Sequence, residues 1–373
     1  MKRLMCVSAL ALLLAGCGNP HGGGNVVGFK FGGSKQATEE KNLTTPHVGG
    51  KGIEVTTGVG GVEIAADPSL KEVKITAKIT ASGNTEEEAK QHLEDLRVDV
   101  NRRDDGVLVI AAVPKKEGST VQAGCWFVVQ VPDANGVKAR TGNGSVTLNS
   151  LGGDHDANTG IGSVTVTAAK GNVVAHSGNG SVVVRDAGGD VNADSSIGSV
   201  TVENAAGVAK ARTGNGSITI SKAKGVDADS SIGSVTVRDV TGDVAARSGN
   251  GTVRVAGAGG KVTAHSSIGG VTVEGAGGEV DAETGNGTVH YSAAAGNRRP
   301  FHLKSSIGSV NAILPSGFGG TIKADTSIGT VNLDGRKPKS VAGERGSKTI
   351  VLTDDGPTSS AHAGNGSIVI TLE

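Results

Sequence analysis

The chain is poor in the residues that build wide cores and reactive centres. Its 373 residues include seven aromatics (five Phe, one Trp, one Tyr) and only three cysteines. So few rings leave no stock of aromatic platforms of the kind glycan-cleaving enzymes use to hold sugars, and they imply a thin core. A surplus of either charge is also missing: 36 basic residues stand against 36 acidic ones. That balance gives no electrostatic reason to expect nucleic acid or an anionic membrane surface as a partner. Glycine is abundant, at 61 residues, yet proline is not and no Gly-X-Y period runs through the chain, which excludes collagen.

Long apolar runs are missing too. The longest, at residues 7–14, is too short to span a bilayer, and it follows the basic pair Lys2 and Arg3. Leu14-Ala-Gly-Cys17 completes a pattern that resembles the lipobox of bacterial lipoproteins, in which the cysteine becomes the lipidated first residue. Residues 1–16 are therefore expected to be a signal peptide and Cys17 the site of lipidation. Gly18 follows the cysteine where an inner-membrane protein of that class would carry aspartate, so an outer-membrane lipoprotein is expected. Removal of the signal takes Cys6 with it, and a lipidated Cys17 leaves Cys125 alone, without a disulfide partner.

What the chain has is repetition. Aligned on a Ser or Thr, the phrase of Ser177-Gly-Asn-Gly-Ser-Val begins at Thr141, Thr159, Ser177, Ser195, Thr213, Ser230, Ser248, Ser266, Thr284, Ser305 and Thr326, with a last copy at Ala363. A near-constant step of about 18 residues marks a solenoid, one supersecondary unit stacked on the next. Alanine stands two residues before nearly every start and valine four before, as in Val173 and Ala175. Five and seven residues after the start come β-branched or leucine residues, as in Val182 and Val184. Period-two alternation of this kind predicts strands. Glycine columns fall three residues after the start (Gly144, Gly162, Gly180) and twelve after (Gly153, Gly171, Gly189), where the backbone should turn. The fold class is all-β: a β-solenoid of about eleven coils, forming a rod about 50 Å long at about 4.8 Å per coil.

Two outward columns disagree about coil length. The residues before each start run Asp194, Arg212, Asp229, Arg247, His265, Glu283, Lys304. A coil of one repeat, about 18 residues, would place opposite charges side by side, whereas a coil of two repeats would stack like on like. The corner residue two after the start instead alternates, with Asn143, Asn179, Asn215, Asn250 and Asn286 separated by Ile161, Ile197, Ile232 and Ile268. A two-repeat coil would give pure Asn and pure Ile ladders; a one-repeat coil makes the alternation a record of duplicated coil pairs. The charge argument favours one repeat per coil.

After the signal peptide of residues 1–16, four regions follow. Residues 17–50 are expected to be a flexible glycine-rich tether. Residues 51–135 should form a small α+β cap, with strands at 53–56, 62–65 and 73–80 and a short helix opened by the capping box Thr85-Glu-Glu-Glu88. Residues 136–335 are the solenoid, and 336–373 an irregular loop with a capping strand at 367–372. From about residue 51 onward this organisation resembles the bacterial "putative adhesin" domain family. Its repeats have the form seen here as Thr141-Gly-Asn-Gly-Ser-Val-Thr-Leu. The resemblance implies an envelope β-solenoid with an adhesive role and carries no catalytic residue.

Candidate chemistry is sparse. The Asn-Gly-Ser/Thr triplets at Asn143, Asn179, Asn215, Asn250, Asn286 and Asn365 match glycosylation acceptors but read as Asn-Gly turns before strands. Asp154-His155-Asp156 hints at a metal. His155, however, falls in the valine column, which predicts burial, so no metal or other cofactor is expected. Cys125, in Cys-Trp-Phe-Val-Val, is expected to be an inert core thiol. Irregular loops on a regular scaffold are where binding concentrates. Two of them are basic, one with Arg298 and Arg299, the other with Arg336, Lys337 and Lys339. The expectation is a non-enzymatic, lipid-anchored envelope protein, attached to the membrane by its lipid. It would bind a glycan or a protein of the envelope or cell surface. The alternatives are a periplasm-facing scaffold or stress-sensing partner, and a polysaccharide lyase or hydrolase on a β-helix.

Overall fold

The computed structural model describes residues 33–116 and 121–373. Each coil is strand, corner, strand, corner: Val191–Ile197 and Val200–Ala205 make one, Val208–Asn215 and Ile218–Ala223 the next. First strands pair in parallel with first strands and second with second, so the two sides of the coil grow into two facing sheets. Ala193 lies opposite Ala211 and Asp194 opposite Arg212, so one repeat makes one coil. Valine and alanine point inward, and Val191, Ala193, Val200 and Val202 are all buried. Ten coils follow one another in chain order across residues 135–314, close to the expected eleven.

Both ends depart from chain order. The first coil, Ile53–Val59 with Val62–Ala66, lies between Leu108–Pro114 with Ala123–Val131 on one side and the coil of residues 135–149 on the other. At the far end, Thr358–Asn365 and Ile368–Leu372 slide between the coil of residues 301–314 and that of 321–335. The C-terminal strand, expected to cap the rod, is therefore an interior one, with Ile368, Ile370 and Leu372 buried. The cap is the hairpin of Ser340–Glu344 and Ser347–Val351, antiparallel on Thr321–Ile328. At the other end Leu96–Arg102 covers Leu108–Pro114. These flanking strands shield the parallel ladders from edge-to-edge association.

Four further expectations need correction. Residues 35–46, placed in the tether, form the strand Lys35–Pro46, antiparallel to Glu72–Gly83. Its run of charged and polar residues hides the strand from a hydrophobicity reading because most of its side chains face solvent; backbone pairing and the half-buried Leu43 hold it. The thin core excludes rings only in its middle. Where a longer coil widens it, Tyr291, Phe301 and Phe318 pack together with centroids 5.3 and 5.8 Å apart. The second corner turns on a different column from the one expected. Ser150, Ala168, Asp186, Asn204, Lys222 and Asp239 take the left-handed conformation there, nine residues after the start. Gly171, Gly189 and Gly207 are needed instead for close approach, since a Cβ on Gly171 would lie 2.5 Å from the Gly153 carbonyl. Finally, Thr85 caps the helix Glu86–Leu93 by accepting from the Glu88 N–H, but the Glu88 carboxylate accepts from Asn84 and not from Thr85.

Candidate functional site

The phrase that opens each repeat builds one corner of the rod, and every residue type in it has a separate reason. The leading Ser or Thr points into the core and is buried, and its hydroxyl donates to the glycine carbonyl of the preceding coil. Thr159 reaches Gly144 at 2.7 Å, Ser177 reaches Gly162 at 2.7 Å and Ser195 reaches Gly180 at 2.8 Å. The pattern continues to Thr284 and Ser305. This internal ladder satisfies carbonyls that the tight corner takes out of the strand pairing. Gly198 shows why the next recurring position is glycine: its φ is +147°, and a Cβ there would stand 2.2 Å from the Gly180 carbonyl oxygen.

Between hydroxyl and glycine, the corner pushes one side chain into solvent. Ile161, Ile197, Ile232, Ile268, Ile307 and Ile328 are 53–67% exposed, a large apolar exposure for residues of this kind. The asparagines between them are exposed as well, and among the described residues their side-chain amides make no hydrogen bond within the chain. Along the chain the alternation breaks, because Ile307 is followed by Ile328 and Asn365 comes last. Through space it does not. The inserted C-terminal coil puts Asn365 between Ile307 and Ile328, and at the other end Val59 stands beside Asn143. The corner is thus an unbroken alternation of apolar and amide side chains from one end of the rod to the other.

Its N-terminal end opens onto the one tryptophan. Along Ala123–Val131 the pleat buries Cys125, Phe127 and Val129 and turns Trp126 outward, leaving it 46% exposed. The ring lies against Gly61, where an added Cβ would meet three of its atoms at 3.0 Å. A depression of about 470 Å³ surrounds it, lined by Glu40, Val59, Gly60, Thr76, Lys78, Thr80, Gly124, Trp126 and Val128. Sequence reading missed this residue by taking its strand as apolar throughout, because Trp126 and Val128 on the outer face are as apolar as Cys125, Phe127 and Val129 on the inner one; Gln130, in step with Trp126 and Val128, was the available signal. Burial pushes the Cys125 thiol up to about 12, so it is protonated and inert.

Flanking the corner, the charge column keeps the expected register, and its ion pairs run both diagonally, as from Arg212 to Asp227, and straight across, as between the register partners Lys304 and Glu283. Arg212 meets Asp227 at 3.5 Å, and Lys304 meets Glu283 at 2.6 Å. These pairs are exposed and contribute little to stability. The basic loops are two separate places. Arg298 and Arg299 are exposed on a loop anchored by Asn297, which donates to the Ala276 and Gly278 carbonyls at 2.7 and 3.0 Å. Arg336 is half-buried and donates to the Phe318 carbonyl at 3.1 Å, Lys339 pairs with Asp354, and Lys337 is exposed. No hydrogen bond or ion pair among the described residues joins the two groups. Cys17 lies outside the described residues. His155 is buried opposite Val137 and Val173, and burial holds its pKa below the usual range. Among the described residues no group of His, Cys, Asp and Glu is arranged to hold a metal.

Two solved structures match the chain at low similarity. A "putative cell adhesion protein" from Clostridium sporogenes is 11% identical, with 90% of this chain and 100% of that one covered and a TM-score of 0.23. A "putative adhesin" from Bacteroides fragilis is 11% identical, with 91% and 98% covered and a TM-score of 0.26. Likeness at this level transfers no residue role. No family model and no curated protein matches the chain.

Proposed function

We propose that this protein is a non-enzymatic binding scaffold of the bacterial envelope, held to the outer membrane by lipid on Cys17. The observation that carries the reading is the corner. Exposed isoleucines and unpartnered amides recur at every second coil along the whole rod, and folding alone needs neither. A glycan-degrading enzyme would need carboxylates gathered in a cleft with shifted proton affinities. Here carboxylates such as Glu203, Glu274 and Glu279 lie in exposed ion pairs with Arg185, Arg254 and Lys261. The signal sequence and lipobox support the envelope location, and the resemblance in the repeats supports an adhesive role.

Two experiments test the reading. Protease added to intact cells should cleave the rod while a periplasmic marker stays whole; protection until the outer membrane is opened would overturn the outward-facing role and leave an internal scaffold. Substituting Ile197→Lys, Ile232→Lys and Ile268→Lys together should leave stability within about 1 kcal/mol, as for exposed sites. The same variant should abolish retention of the purified chain on washed cells of the producing bacterium. Unchanged retention would sink the corner as the binding surface.

A further inference from the structure

On the reading that the rod is a binding scaffold, the geometry points to an extended β-1,4-linked polysaccharide as its ligand. One sugar ring lies on Trp126, and the glycan continues along the asparagine–isoleucine corner. The Trp126 ring is held in place by the Gly61 backbone and leaves its remaining surface open to solvent. A prepositioned indole loses little freedom on binding, and leaving it in water forgoes a large burial. Around it Val59 and Val128 give an apolar floor, and Thr76, Thr80, Lys78 and Glu40 a polar rim. That arrangement matches a pyranose, whose C–H face is apolar and whose hydroxyls project at its edge. The volume of about 470 Å³ falls within the range of small-ligand sites.

The corner supplies a matching repeat. Val59 both lines the depression and stands in register with Asn143, so a glycan leaving Trp126 meets the corner at its first asparagine. Asparagines then recur every second coil, about 9.6 Å apart at about 4.8 Å per strand. That is close to the length of one disaccharide in an extended β-1,4-linked chain, while an α-1,4-linked chain coils and does not present sugars at that interval. The free amides can both donate to and accept from sugar hydroxyls, and the isoleucines offer apolar contact between them. No charged residue stands in the column itself, which suits a neutral chain. A bilayer surface fits less well, because Glu40 and Lys78 flank the indole.

Trp126 is the sole tryptophan, so its emission reports on this place alone. The full chain, purified in detergent, is titrated with chitohexaose and with cellohexaose, with maltohexaose as the α-linked control. The expected result is a saturable change in emission with at least one β-linked hexamer and at least tenfold weaker binding of maltohexaose. By calorimetry, Trp126→Ala should weaken binding of that hexamer at least tenfold, Trp126→Phe should retain most of it, and Asn143→Ala with Asn179→Ala should weaken it severalfold. All these positions are exposed or half-exposed, and circular dichroism checks that the variants fold. No saturable response to either β-linked hexamer, equal binding of maltohexaose, or a response only to phosphatidylglycerol vesicles would overturn the proposal. If the hexamers fail while the triple lysine variant still abolishes retention on cells, the glycan assignment falls and the scaffold reading stands.

Discussion

Removing one rung of the internal hydroxyl ladder tests whether it holds the coils in place. Ser248 is 4% exposed, and its hydroxyl donates at 2.8 Å to the Gly233 carbonyl. Beyond that bond, Gly233 is pressed close under the next coil, where a Cβ on Gly251 would stand 2.3 Å from its oxygen. Water thus has poor access to the carbonyl. Ser248→Ala removes the donor and leaves that acceptor unpaired, which costs about 1–2 kcal/mol. Ser248→Thr should cost almost nothing, because Thr213 and Thr284 fill the same place with the same bond at 2.8 and 2.7 Å. Urea unfolding followed by far-ultraviolet circular dichroism measures the first effect. Because a solenoid can open locally, amide exchange at the strands Gly225–Ile232 and Val244–Asn250, which the rung joins, checks it site by site. Ser195→Ala, three coils away, should add to Ser248→Ala within about 0.5 kcal/mol. An alanine variant as stable as the threonine one would refute the ladder as a source of stability.

Three further outcomes are expected. His155→Val should stabilise the protein by about 1–2 kcal/mol, since both ring nitrogens are buried without partners between Val137 and Val173. The folded ring has a lowered pKa, so the unfolded chain takes up the proton first; stability of the parent should fall as pH drops below about 6.5. The valine variant should lack that part of the acid sensitivity, and equal pH profiles in denaturant titrations would count against it. Lys222→Gly should raise stability by about 1 kcal/mol by relieving a left-handed non-glycine residue at φ 56°, as read from its urea midpoint; no gain would mean that the column carries no strain. Ending the chain before residue 357 removes the inserted coil and should strip exchange protection from residues 321–351 while the ten ordered coils keep theirs. Retained protection would mean that residues 321–335 can dock directly on 301–314.

The middle of the rod was legible because everything that shapes it is local. Val191 and Ala193 alternate with polar neighbours, Gly198 marks the corner, and Asp194 before Arg212 points to one coil per repeat. Trp126 was legible in principle, through Gln130 in step with it, but its neighbours Cys125, Phe127 and Val128 make the strand look wholly buried. The strand at residues 35–46 was not, because its stability rests on a partner and not on its own apolar face.

Period, inward columns and strand-forming corners thus belong to the sequence by itself, since each is written within a single repeat. The order in which the coils stack at the two ends belongs to the tertiary structure. Near-identical repeats can pair in any order at similar local energy, so nothing within the last repeat says which coils will flank it. Only long-range packing places Asn365 between Ile307 and Ile328, and in the sequence that choice leaves only the two successive isoleucines and the long step from Thr326 to Ala363. The same packing brings Val59, Trp126 and Asn143 together into one surface from three separate segments.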